Sequence, residues 1–290
     1  MHRSRSLPHL LLAAVVLAWG GSFAAIKALV DHGLHAPDVA IGRYAIAAPG
    51  FGIALVAAGG LPGLTRRDAV RVLVAGLCVV TVYHLALNAG ERTTTAGTAS
   101  VVIAAAPAMA LAMSLGLGLE RFSRRRAAGL AVAFAGVMVV ILLGSGQSVS
   151  LYSVRGPLLV LVAAASFAAY NVLVKPLLGR FDAIAVSAAA SLAGTLALLP
   201  FGAAGTAGRL ADLSAGDILL VLYLGLVCTL AGYVLWTVGL RSLDPSRAVA
   251  YLYGVPVVAV AVGALSLGES LTAWLALGGL LVVGGVALAQ

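Results

Sequence analysis

His84 and Asn88 stand four residues apart in the apolar run GLCVVTVYHLALNAGE, and Tyr233 and Thr237 stand four apart in GLVCTLAGYVLWTVG. Four residues is about one helical turn, so each pair shares a face. A polar side chain turned towards hydrocarbon is expensive, so both faces are expected to look into protein or a water-filled space. An imidazole there could exchange a proton near neutral pH. The amide, phenol and hydroxyl could hydrogen-bond a solute. Bond-making chemistry finds no support. The chain has no HExxH, no P-loop and no His/Cys spacing suited to a metal. Cys78 and Cys228 are single cysteines inside apolar runs, with nothing to pair them. The chemistry expected is recognition of a small molecule, with no enzyme activity, cofactor or metal.

Aromatic residues accompany these polar ones. Trp19, Phe23 and Lys27 fall on one face of a first apolar run, and Phe167, Tyr170 and Asn171 fall together on a later one. Tyr83 adjoins His84, Trp236 adjoins Thr237, and Tyr251 and Tyr253 lie on different faces, so at most one of them lines a cavity. Aromatic walls with a few polar groups suit a small amphiphilic solute. Each residue also has a structural reading. Lys27 and Lys175 sit near helix ends, where long side chains snorkel to water. His84 could hydrogen-bond between helices. Arg43 reads as a structural charge, for instance an ion-pair partner of Glu91. Pro107 and Pro256 fall mid-run and should bend their helices, as gating hinges or as fixed kinks.

The elements that position these residues are membrane spans. Of 290 residues, 62% are hydrophobic and 10% charged, with a mean hydropathy of +1.09. A soluble domain is nearer 25% charged. Spans of bilayer-crossing length are expected at 9–30, 38–58, 70–89, 95–119, 127–143, 157–178, 183–201, 218–240, 247–267 and 271–289. The first run continues to Val30, which argues against a cleaved signal peptide after Arg3 and Arg5.

The ten runs are two copies of one unit. At an offset of 144, SFAA at 22–25 meets SFAA at 166–169, Asp38 meets Asp182 and Gly50 meets Gly194. From Asp68 the offset becomes 149: Asp68 meets Asp217, Pro107 meets Pro256 and Glu120 meets Glu269. The same registers pair His84 with Tyr233, Asn88 with Thr237 and Lys27 with Asn171. The expected fold is therefore an all-α membrane protein of ten transmembrane helices in two five-helix repeats, 1–150 and 151–290. An odd number of spans per copy makes the second inverted, the architecture of many secondary transporters. Lys and Arg cluster in the connections that share a side with the N-terminus, including the RRR at 124–126. That places both termini in the cytoplasm and accounts for the net charge of +8 without a nucleic-acid partner.

Four segments carry a wider likeness: AWGGSF, GRYAIAA, AAPAMALAMSLGLGLERFSRRRAAGLAVAFAGVMVV and its second-half counterpart YGVPVVAVAVGALSLGESLTAWLALGGLLVVGGVAL. Taken together, the chain resembles the EamA-type transporters of the drug/metabolite transporter superfamily. The resemblance implies a central cavity walled by helices 1, 3, 4, 6, 8 and 9, and export of amino acids, other metabolites or drugs across a bacterial inner membrane. The expected partners are a small-molecule substrate and the lipid bilayer, with a monomer favoured. The small multidrug exporters of that superfamily depend on a glutamate in their first helix, where this chain has none. All ten acidic residues stand at or near helix ends. Amino acids, aromatic or other neutral ones, are the expected substrate and facilitated diffusion the expected mode; the alternatives are a transporter of drugs, lipophilic cations or nucleotide sugars, or a proton-coupled exporter using His84.

Overall fold

The computed structural model describes residues 7–144, 150–202, 205–242 and 251–289, apart from the side chains of 151, 237 and 239–242. Among them there is no β-strand. Ten apolar helices follow in order: α1 (Leu7–Asp31), α2 (Ala36–Ala57), α3 (Arg66–Glu91), α4 (Ala96–Gly116), α5 (Arg124–Leu143), α6 (Leu151–Leu178), α7 (Ala183–Leu198), α8 (215–242), α9 (Gly254–Leu267) and α10 (Ala273–Ala289). Eight are long and apolar enough to cross a membrane by themselves, and α9 and α10 are shorter. The protein is an all-helical, multi-pass membrane protein.

Several helices begin earlier than hydropathy alone places them. α3 starts at Arg66 because Thr65 caps it, its hydroxyl accepting from the Asp68 amide at 3.2 Å. Ser214 does the same for α8 at Asp217, 3.1 Å away. Ser123 and Ser150 cap α5 and α6. A polar first turn counts against a membrane span but favours a helix start. The expected start of the ninth span at 247 lies outside the described residues.

The two halves are packed about a two-fold relation. Helices α5 and α10, which correspond in the repeat, run antiparallel and cross at glycines. A Cβ on Gly136 would stand 2.7 Å from the Gly278 carbonyl oxygen, and one on Gly285 would stand 2.7 Å from that of Gly129. Gly129 corresponds to Gly278 and Gly136 to Gly285, so these are one contact made twice. The same holds elsewhere. Gly76 of α3 lies against Ala190 of α7, and their counterparts Gly225 and Ile46 touch between α8 and α2. Small residues let helix backbones approach this closely, which is how helices associate where lipid offers no hydrophobic drive.

Two irregularities recur in both halves. A π-helical stretch interrupts α3 at Leu77–Val82, and another interrupts α8 at Tyr223–Ala231. Hydropathy carries no signal of this wider winding. A turn also breaks α4 at Ala104–Ala105, just before Pro107, and the counterpart turn falls at Tyr253, just before Pro256. Each proline lacks the amide hydrogen that would bond the carbonyl four residues back, and its ring crowds that carbonyl.

Candidate functional site

Between the halves lies a cavity of about 140 Å³. Its wall is mostly apolar, with Trp19 and Phe23 from α1, Tyr83 and Leu87 from α3, Phe167 from α6 and Tyr233 from α8. The π stretches end at Val82 and Ala231, immediately before Tyr83–His84 and shortly before Tyr233. The extra residue per turn re-aims the side chains of the next turn, which is why such bulges gather at functional sites. His84 and Tyr233, counterparts in the repeat, both reach the wall.

The aromatic rings hold one another. Trp19 donates its indole N–H to the Cys228 carbonyl at 2.9 Å and packs edge-on to Tyr233, with ring centres 6.0 Å apart. His84 lies between Tyr44 and Tyr83, at 4.9 and 4.8 Å. Its Nδ1 stands 3.1 Å from the Val80 carbonyl oxygen. A carbonyl only accepts, so Nδ1 carries the hydrogen and Nε2 of the neutral ring is an acceptor.

Polar groups on the wall are few. Ser22 and Ser100 contribute hydroxyls, and Arg43 of α2 contributes the one fixed charge among the described lining residues. The Arg43 Nε donates to the Thr229 hydroxyl, which donates in turn to the Leu224 carbonyl at 2.7 Å. That side-chain bond spans five residues and lies within the π stretch of α8. The guanidinium carries five N–H donors in a rigid fork, and the Thr229 contact uses one. Ile103 and Leu252, the residues whose carbonyls lose their helical amide partners to Pro107 and Pro256, also line the cavity, as do both prolines.

Several residues expected at this site are elsewhere. Asn171 is exposed and bonds back to the Phe167 carbonyl at 2.8 Å. Asn88 is wholly buried, its Nδ2 donating to the Ala36 carbonyl at 3.0 Å. Tyr170 is buried behind Phe167, with its hydroxyl 3.3 Å from Ser187. Trp236 stands behind Trp19, ring centres 5.7 Å apart. Tyr251 bonds His9 at 2.7 Å, and its neighbour Tyr253 takes the place on the wall. The Thr237 side chain lies outside the described residues. Lys27 pairs with Asp31 at 2.7 Å and Lys175 with Glu120 at 3.2 Å. Arg43 does not pair with Glu91. It turns to Thr229 and the cavity, because it enters α2 two turns inside that helix whereas Glu91 ends α3.

One end of the bundle is tied together by polar contacts. There Asp38, wholly buried, accepts from Thr206 at 2.7 Å and from two nitrogens of Arg209 at 2.6 and 2.9 Å. Glu269 accepts from the Ala96 and Gly97 amides at 2.7 and 3.1 Å, clasping the first turn of α4. A carboxylate at that position also suits the helix dipole. His32 meets Asp217 at 2.7 Å. At the opposite end, the counterpart Asp68 meets Arg180, and Glu120 meets Lys175 and Arg126.

Helices that meet in antiparallel, glycine-packed crossings around a small cavity at paired helix breaks suit a membrane-embedded transporter. The chain belongs to the EamA-like transporter family, whose sequence model matches it twice, over residues 6–142 and 154–289. It is 32% identical over 280 residues to a probable terminal-alkyne amino-acid exporter of Streptantibioticus cattleyicolor, covering 96% of this chain and 91% of that one. It is 29% identical to a probable amino-acid metabolite efflux pump of Salmonella typhimurium, covering 95% and 92%. An uncharacterised transporter of Archaeoglobus fulgidus is 32% identical, covering 91% of each chain. A solved crystal structure with 21% identity shares the fold, with a TM-score of 0.64 over 99% of this chain and 97% of that one.

Proposed function

We infer that this protein exports amino acids, aromatic or other neutral ones, by alternating access across a bacterial inner membrane, with both termini in the cytoplasm. The observation that carries this reading is Arg43, a single fixed cation on the wall of a small aromatic cavity. A guanidinium fork suits a carboxylate. The ammonium group would meet His84 Nε2, the serine hydroxyls and the carbonyls released at Ile103 and Leu252. Aromatic rings suit the side chain. The names of two relatives point to amino-acid export.

Size and charge weigh against the other substrates. An engineered cavity of about 150 Å³ takes up a molecule of benzene's size, and a nucleotide sugar is several times larger. A lipophilic cation would want a carboxylate on the wall; the described wall has none and carries Arg43 instead. No carboxylate stands among the described lining residues to carry a proton with the solute, so net flux follows the substrate's own gradient.

Purified protein in liposomes, screened with labelled amino acids, nucleosides and drugs, is expected to exchange one or more amino acids. Exchange of nucleosides or drugs alone would refute the reading. An imposed pH gradient with equal substrate on both sides is expected to give no accumulation. The cavity assignment is checked separately, in a background with Cys78→Ala and Cys228→Ala. There Leu87→Cys is expected to react with a water-soluble thiol reagent and to be slowed several-fold by the exchanged amino acid, as burial of a ligand in such a site demands. Asn171→Cys, off the wall, is expected to show no protection by the exchanged amino acid.

A further inference from the structure

Glu91 is the last residue of α3 and is wholly buried. Neither of its carboxyl oxygens has a hydrogen-bond partner among the described residues. A buried, ionised carboxylate without a donor is one of the costliest arrangements in a protein. Its surroundings do not relieve it. The charged groups that bear on it are Glu269 from the α9–α10 connection, Lys27 and Asp31 of α1, and Arg43 of α2. Lys27 is engaged by Asp31 at 2.7 Å, Arg43 by Thr229, and Glu269 holds two amides of α4. With Glu91 ionised, three carboxylates face two cations; with Glu91 neutral, the set balances.

The neighbouring orphan atoms agree. Asn88 Oδ1, one turn earlier on the same face, and Thr93 Oγ1, two residues later, also lack partners among the described residues. Asn88 Oδ1 and an ionised Glu91 can only accept. The Thr93 hydroxyl carries the one hydrogen among these atoms and reaches none of the acceptors, and a proton on Glu91 supplies a second donor. A hard metal cation would satisfy the same oxygens, but it asks for about six ligands, and four orphan oxygens are present.

We propose that Glu91 is a proton-binding site that gates this end of the transporter: neutral while the end is closed, ionised when the end opens to water. The proposal rests on the reading of the protein as an alternating-access transporter. By the distribution of basic residues this end faces away from the cytoplasm. Closing it would require a proton taken from that side and released to the same side on reopening, so the proton gates the cycle without driving it. The closed state holds one proton more than the open state, so closure is favoured in acid and lost as the outer pH rises.

The test uses the full-length protein in liposomes, with exchange of the labelled amino acid measured against outer pH. Exchange by the parent protein is expected to slow at least about fivefold from pH ~5.5 to ~8, as the ionised carboxyl holds the end open. Glu91→Gln, permanently neutral, is expected to exchange at a rate that does not fall with pH, with an unchanged half-saturating concentration. Glu91→Asp is expected to keep the pH response. Infrared difference spectra of purified protein between acid and alkaline pH should show a protonated carboxyl band that is lost in Glu91→Gln, a readout that does not need transport. An equal pH response in parent and Glu91→Gln would overturn the proposal. So would a slowing relieved by sodium ions and not by protons, which would assign the orphan oxygens to a metal cation. A parent protein that exchanges no amino acid overturns the proposed function instead, and the infrared arm still decides Glu91.

Discussion

Arg43→Gln is expected to lower amino-acid exchange in liposomes at least about 30-fold. Truncating one partner of a buried, hydrogen-bonded charge pair costs about 2–5 kcal/mol, and each 1.4 kcal/mol is about tenfold. Arg43 is 7% exposed and touches both the cavity and the π winding of α8, so the loss has two sources that must be separated. If the guanidinium binds the substrate carboxylate, the half-saturating concentration rises for the amino acid and is unchanged for its carboxamide analogue. If Arg43 only props α8, both solutes lose equally. Arg43→Lys keeps the charge without the fork, and is expected to recover only part of the activity. The same chromatographic profile for variant and parent would show that folding survives.

The largest loss of stability is expected from Gly136→Val. The new side chain would begin 2.7 Å from the Gly278 carbonyl oxygen and the Val282 nitrogen. These are backbone atoms of α10, which cannot step aside as a side chain can. The helices would have to part along much of their length. Overpacking a core costs about 1–3 kcal/mol, occasionally more, and a backbone clash at a helix crossing belongs at the upper end. The measurement is the thermal midpoint of purified protein in detergent. Gly284→Ala on α10, where a Cβ meets nothing within 4 Å, is the control expected to leave that midpoint unchanged. Equal effects at the two positions would show that the crossing is not where the bundle is held.

Much of this architecture is legible in the sequence because a bilayer punishes polarity over lengths of twenty residues, and a repeat doubles every signal. The SFAA copies, the paired aspartates Asp68 and Asp217 and the paired prolines fix which helix corresponds to which. The cavity is only half legible. Trp19, Phe23, Tyr83, His84, Phe167 and Tyr233 reach the wall, whereas Asn171, chosen because it pairs with Lys27 in the repeat, faces outwards. Repeat pairing says that a position is polar in both copies but not which way each copy turns, and the Asn171 amide is satisfied by the Phe167 carbonyl of its own helix. Tyr251 and Tyr253 differ by two residues where the chain turns at Tyr253, and no periodicity survives such a break. The π windings leave no trace in hydropathy, yet they decide how α3 and α8 present their side chains. Arg43 reads from the sequence as a structural charge because its distance from Glu91 along the membrane is invisible in one dimension. Glu91 shows the converse. Its position at a helix end is plain from the sequence, but a helix end can be drawn into the core.

The crossing of α5 and α10 obeys the rule of a homodimer interface, in which residue i of one subunit meets j of the other and j meets i. A true homodimer carries every substitution twice. An arginine at position 43 would then appear on both sides of the cavity, two like charges facing one another across the axis. Because the halves here are joined in one chain, the position answering to Arg43 is Ser187, and the one answering to Glu91 is Leu240. Covalent linkage thus frees the pair from its own symmetry. A polar solute with one carboxylate and one ammonium is itself lopsided, and only a site whose halves have diverged can hold it in a single orientation.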